Sequence, residues 1–165
     1  MTRVVREPVL DASERPDLGR RHGSTALGKR ETRPVDIRAL KLELLEGRYA
    51  VVRLDAGEAA PPWAAQGPFV SITRTEGELS VVCPEPAVPA DARAERGWRC
   101  LRVAGPLGFG MTGILASLAG PLASSGVSIF VVSTYDTDYL LLQDRDLDRG
   151  TDALSRAGHE VTGHS

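Results

Sequence analysis

No apolar run in these 165 residues approaches the roughly 20 residues that a membrane-spanning helix needs. The N-terminus has no apolar stretch of the secretory type. A cytoplasmic protein with no membrane role is expected. Cysteine is nearly absent: Cys83 and Cys100 stand alone, without C-x-x-C spacing. In a reducing compartment both are expected as buried thiols, and a disulfide between them is the less favoured alternative. Histidine is as scarce. His22 lies in the leading segment, while His159 and His164 lie at the far end, a scatter that argues against a metal site. Only Lys29 and Lys41 among 20 basic residues are lysine, the arginines are dispersed, and the formal net charge is −2. Nothing here seeks a polyanion, so no nucleic-acid partner is expected.

What is present divides into three stretches. Residues 1–36 carry two apolar pairs, Val4-Val5 and Val9-Leu10, among Arg, Glu, Asp, Gly and Pro without period. Such a segment buries too little surface to offset its ordering entropy, and a disordered tail is expected. Residues 37–89 read as a first unit. Leu40, Leu42 and Leu44 alternate with polar residues, and residues 49–54 form a second strand, so a hairpin turning at Glu46-Gly47 is expected. A short helix over residues 59–65 follows, with Pro tolerated in its first turn. Residues 69–75 and 78–83 make another hairpin around Glu76-Gly77, and the Pro-rich residues 84–89 should be extended and exposed.

Residues 90–165 read as a second unit. A strand over residues 99–104 runs into a Gly-rich loop and then a helix bearing Ile114, Leu115, Leu118 and Leu122 on one face. Pro121 should end or kink that helix. A β-branched strand over residues 127–135 turns at Asp136-Thr137 and returns over residues 138–143. A second helix presents Leu147, Thr151, Leu154 and Ala157, and residues 159–162 make a last strand. The order β-α-β-β-α-β is the ferredoxin-like pattern. Residues 69–75 resemble residues 130–136, and each is followed by an acid and an apolar strand. Two units of one design are expected: an α+β fold with antiparallel sheets and helices packed on one face. Trp63 and Trp98 are expected as core or interface anchors.

Three stretches together resemble a known family. They are Ser71-Ile72-Thr73-Arg74-Thr75-Glu76-Gly77-Glu78-Leu79, Thr112-Gly113-Ile114-Leu115, and Ile129-Phe130-Val131-Val132-Ser133-Thr134-Tyr135-Asp136-Thr137-Asp138-Tyr139-Leu140. They resemble bacterial ACT-domain proteins related to the CASTOR-type amino-acid sensors. The resemblance implies ACT-type units paired side by side with an amino acid at an interface between units, and the first unit, which has no Gly-rich loop before a long helix, is expected to be degenerate. It also implies that an acid at the position of Asp138 contacts the ligand.

Residues 108–113 spell G-x-G-x-x-G between a strand and a helix, and Asp136 lies at a distance suited to a ribose-binding acid. The tight turn after the next strand makes the following strand antiparallel, which a dinucleotide-binding unit forbids. The loop still suits an anion, because a Gly-rich helix N-terminus bares amides and the helix dipole adds to them. Gly110, Met111, Thr112 and Gly113 are therefore candidates to hold a ligand carboxylate. The bland alternative is a tight, closely packed turn. Asp138 is the candidate acceptor for an ammonium, with Ser133 and Thr134 adding hydroxyls; each could equally bond its own backbone. Glu78 is the expected counterpart of Asp138 in the first unit. Asp144-Arg145-Asp146-Leu147-Asp148 fails as an EF-hand, since Arg149 and Ser155 replace the required Gly and Glu. No G-x-S-x-G elbow is present.

The expectation is thus a regulatory, non-catalytic amino-acid-binding protein, allosteric and homodimeric, without cofactor or metal. A ligand-free module that docks on a partner enzyme is the alternative.

Overall fold

The computed structural model describes residues 39–163; the expected tail over residues 1–36, His22 and His164 lie outside them. Eight strands form one sheet: β1 (Lys41–Leu44), β2 (Tyr49–Leu54), β3 (Ser71–Arg74), β4 (Leu79–Pro84), β5 (Ala94–Val103), β6 (Ile129–Ser133), β7 (Asp138–Gln143) and β8 (Glu160–Thr162). Two helices, α1 (Ile114–Ser124) and α2 (Leu147–Arg156), complete it. No helix among the described residues is long and apolar enough to cross a membrane.

The long strand β5 organises everything else. β7 occupies one edge from Trp98 to Arg102. The other edge is shared end to end, β1 pairing with residues 101–103 and β2 with residues 94–98, both antiparallel to β5. β1 and β2 therefore run in the same direction, and the hairpin expected at Glu46-Gly47 is not formed. The polar break at residues 46–48 is a bulge in one long strand path. Gly47 adopts φ 78° there, and Gly97 adopts φ 74° on the opposing strand, where the register with β2 also shifts. Only glycine takes this conformation cheaply. Paired bulges increase local twist and bend a sheet.

Each half of the sheet then has a ferredoxin-like strand order. The first half runs β3-β4-β2-β5, and the second runs β6-β7-β5-β1-β8. β5 is the last strand of one half and the first of the other. β1 is wedged between β5 and β8, so β8 pairs parallel with β1 rather than antiparallel with β5. That one parallel pair is the departure from the expected antiparallel sheets.

Side-chain alternation sorts the core into three layers. Leu101, Val103, Leu140 and Leu142 face α1 and α2, where Leu118, Leu122 and Leu154 cover them. Fully burying each leucine is worth about 1.5–3 kcal/mol. Leu115, expected on that face, is instead 40% exposed. Cys100 and Leu141 point to the other side and pack with Tyr49, Val82 and Phe69. There Phe69 stacks on Tyr139 with centroids 4.1 Å apart and meets Tyr49 edge-on at 5.9 Å. Cys83 belongs to the third layer with Ala50, Val52, Leu79 and Val81, roofed by the short 3-10 turn Pro62–Ala65 and by Val88. The two thiols are buried and free, on opposite faces, and burial pushes both up, Cys100 to about 12.

Two sequence expectations fail for identifiable reasons. Residues 84–89 are not extended and exposed: Glu85–Ala87 make a 3-10 turn and Val88 is buried. Glu85 pins the turn, its amide donating to the Arg48 carbonyl and its carboxylate accepting from the Gly97 amide at 2.7 Å. Of the two outcomes expected at Pro121, an end or a kink, the first is not realised, since α1 continues to Ser124. Proline removes the amide that would serve the Ser117 carbonyl, four residues back. His159, 5% exposed, replaces it: Nε2 donates to the Ser117 carbonyl at 3.2 Å, while Nδ1 accepts from the Leu40 amide at 3.3 Å. The Leu40 donor fixes the ring as the Nε2-protonated tautomer.

Near the double bulge, Asp144 bridges two arginines. Oδ1 accepts from Arg99 at 3.2 Å and Oδ2 from Arg48 at 2.7 Å. Arg99 first, with Arg48, holds this carboxyl below its ordinary value.

Two outcomes follow for stability. His159→Ala orphans one buried group, the Leu40 amide, and one half-buried group, the Ser117 carbonyl, and should cost about 2–4 kcal/mol. In a Pro121→Ala background the cost should fall, because the restored amide serves Ser117; a urea-denaturation double-mutant cycle reads the coupling. The depressed Asp144 carboxyl stabilises the fold at pH above its ordinary value, and that contribution is lost as pH falls through the lowered one. Asp144→Asn should therefore lower the urea midpoint at pH 7 more than at pH 3.

Candidate functional site

The loop between β5 and α1 and the turn between β6 and β7 face each other. Residues 134–137 form the turn: the Thr134 amide donates to the Thr137 carbonyl at 2.8 Å, and Thr134 Oγ1 donates to the same oxygen at 2.9 Å. The loop is tied to it where the Leu107 amide donates to the Asp136 carbonyl at 2.7 Å. Thr137 Oγ1 also donates to the Val103 carbonyl. A Cβ on Gly105 would meet the Asp136 carbonyl oxygen at 2.7 Å, so glycine is needed there for close approach. Gly113 adopts φ 85° as the N-cap of α1.

Between loop and turn lies a cavity of about 330 Å³, lined by Met111, Gly113, Ile114, Ser133, Thr134 and Asp138 with Leu107, Gly108, Phe109, Leu115, Tyr135, Asp136 and Thr137. Ser133 and Asp138 are cross-strand partners at the open end of the β6–β7 ladder. Their side chains continue the row of Val131 and Leu140, the face that α1 covers. The Ser133 hydroxyl donates to Asp138 Oδ1 at 2.5 Å, and the carboxylate is half-buried. Above it, α1 begins with no side-chain cap. Its first helical bond is from the Ser117 amide to the Gly113 carbonyl, which leaves the amides of Ile114, Leu115 and Ala116 ahead of the ladder.

The sequence candidates separate accordingly. Met111, Gly113, Ser133, Thr134 and Asp138 line one cavity; Gly110 and Thr112 belong to the loop but not to the lining. The Met111 amide is already used, donating to the Gly108 carbonyl at 2.9 Å, so it is not the donor that the sequence suggested. Close packing explains Gly105 but not Gly110, where a Cβ would meet nothing within 4 Å.

Glu78 is not the counterpart of Asp138. The turn at residues 75–78 shares its closing hydrogen bonds with the one at residues 134–137, with Thr75 in the place of Thr134. The residue after it, Leu79, is opposite Arg74 just as Asp138 is opposite Ser133. Leu79 is fully buried, Glu78 pairs with Arg53 at 3.0 Å, and the Arg74 guanidinium donates to the carbonyls of Ala56 and Glu58. The string similarity had slid the alignment of the two turns.

Sequence reading missed Phe109 and Tyr135. They are 78% and 77% exposed and meet edge to face across the cavity mouth, with centroids 4.7 Å apart. An aromatic between two glycines, and another inside a tight turn, were the available signals, since neither position serves a core period.

A family model described as "ACT domain" matches residues 93–156, and a model of an N-terminal domain matches residues 47–91. A crystal structure of a protein from Agrobacterium tumefaciens is 47% identical, covering 77% of this chain and 96% of that one, with a TM-score of 0.73. A protein of unknown function from Vibrio cholerae shares the fold at 18% identity and a TM-score of 0.60, over 74% of this chain and 92% of that one. The "Cytosolic arginine sensor for mTORC1 subunit 1" of Rattus norvegicus is 33% identical over 103 residues, 58% of this chain. The chain spans only 31% of that sensor's length. Strand order, the repeated turn and these matches agree: the chain belongs to the ACT-domain family, among the relatives of the CASTOR-type sensors.

Proposed function

We propose that this protein is a regulatory amino-acid-binding protein whose ligand lies in the cavity between the start of α1 and Asp138. The reading rests on one observation: unused amides at a helix N-terminus and a carboxylate line the same 330 Å³ space. Those two poles suit a zwitterion. The ligand carboxylate takes the amides after Gly113 and the positive end of the helix dipole. Its ammonium takes Asp138, with Ser133 and Thr134 supplying oxygens. Gly110, whose missing Cβ serves no contact within the chain, leaves the loop free to close on the ligand. The relatives named as arginine sensors support an amino-acid ligand, and "cytosolic" in their name supports a cytoplasmic setting.

The second unit carries this site in our reading. In the first, Leu79 stands where the acid would be and Arg74 is committed to the facing loop. No chemistry is required of the protein. Its output is a shift between arrangements of units or of two paired copies, driven by the ligand's preference for one of them.

A thermal-shift screen of the twenty amino acids tests this. At a hundredfold excess over Kd a ligand adds about 2.7 kcal/mol, a rise of several degrees. Asp138→Asn should remove the shift with little change in the unliganded melting temperature. Silence from all twenty at millimolar concentration rules the reading out. Gly110→Ala should leave the melting temperature of the free protein unchanged while weakening the ligand shift. Gly105→Ala should lower that melting temperature by itself, because its Cβ meets main chain.

A further inference from the structure

The amides proposed to take a ligand carboxylate are only as well placed as the first turn of α1. Ser117 closes that turn: its amide donates to the Gly113 carbonyl at 2.9 Å, and its Oγ donates to the Ile114 carbonyl at 2.7 Å. The Ser117 carbonyl is also the one that Pro121 leaves without a helical donor, and a proline ring crowds the carbonyl four residues before it. Helices bend at such points, so the direction of the turn before Pro121 depends on what holds that carbonyl.

The hold comes from outside the helix, and it is itself well fixed. His159 stands just past α2, where the Gly158 amide donates to the Ser155 carbonyl and the His159 amide to the Leu154 carbonyl, both at 3.0 Å, with Gly158 at φ 97°. These two bonds make a Schellman end, which sets the backbone of the residue after the glycine. One residue on, the Glu160 amide donates to the Leu40 carbonyl at 2.9 Å, and the Leu40 amide donates back to His159 Nδ1 at 3.3 Å. The backbone is thus pinned on both sides of the ring, and one ring nitrogen is pinned as well. The other nitrogen, Nε2, carries that fixed position to the Ser117 carbonyl, 3.2 Å away.

We infer that His159 is a positioning residue of the ligand site: it stands in for the amide that Pro121 lacks and sets the direction in which the amides of Ile114, Leu115 and Ala116 point. This rests on the function proposed above and adds a residue that lies outside the cavity lining. It also ties the site to the start of β1 and of β8, which meet at the same ring.

His159→Asn separates the two bonds of the ring. The Asn Oδ1 takes the place of Nδ1 and keeps the Leu40 amide satisfied, while the shorter side chain does not reach the Ser117 carbonyl. In isothermal titrations of the full chain with each of the twenty amino acids, the tightest binder should weaken roughly tenfold to a hundredfold, the range for a misplaced binding group. In the amide proton–nitrogen spectrum without any amino acid, the signals of Ile114, Leu115 and Ala116 should move while those of β3 and β4 stay. Pro121→Ala returns a donor to Ser117, so the double variant should recover both the affinity and the signals. Parent-like affinity with unmoved signals in His159→Asn overturns the inference. A loss that Pro121→Ala does not restore also overturns it, because His159 then acts through the core and not through Ser117. If His159→Asn alone does not fold, the double variant decides: affinity equal to that of Pro121→Ala supports the inference, and weaker binding overturns it. Binding of no amino acid by the parent sinks the function proposed above, and the amide signals still decide whether His159 directs the turn.

Discussion

One strand is asked to finish one half of the molecule and begin the other. β5 gives its first residues to β2 and its last to β1, while β7 holds its far edge from Trp98 to Arg102. Neither half has a sheet without it. The bulges at Gly47 and Gly97 reconcile these demands, since a straight ladder would hold both halves in one plane. Bent at this point, the sheet brings Tyr49 and Val82 onto the same cluster as Cys100 and Leu141, and a core forms on a face that a lone ferredoxin-like unit leaves to solvent. The Arg48–Asp144–Arg99 bridge draws on the bulge, β5 and the end of β7 together.

The site inherits its geometry from the same frame. β7 is held by β5, so Asp138 at its start has a fixed height, and the loop leaving β5 is tied to the adjacent turn through Leu107 and Thr137. α1 is held in its first turn, at the Ser117 carbonyl, by the histidine that answers Pro121. Two turns closed by the same threonine hydrogen bonds carry different contents, a buried leucine and a committed arginine in one, a hydroxyl and a half-buried acid in the other. The repeated strand order does not repeat the side chains at these positions.

Much of this was legible in the sequence because it is local. Alternation exposed β1, β2, β4 and β7; the 3.6-residue period exposed both helices; glycine and aspartate marked the turns. The cavity could be foreseen because a Gly-rich helix start and the acid after a tight turn meet in any β-α-β-β unit. What was not legible is non-local. Glu46-Gly47 has the composition of a hairpin turn, and only the pairing of β1 and β2 with the same edge of β5 makes it a bulge. Pro121 looks like a helix terminator until a residue 38 positions later supplies the missing donor. The exposed aromatic pair at Phe109 and Tyr135 escaped because its members fall outside every periodic pattern.

β1 has a further consequence. It lies between β5 and β8, with Lys41 beside Glu160 and Leu42 beside Val161. The strand made earliest among the described elements is therefore completed by the one made last. A nascent chain keeps one edge of β1 bare until β8 has been made, so closure of the sheet at this edge waits for that strand. It carries the slow kinetics expected of contacts far apart in sequence.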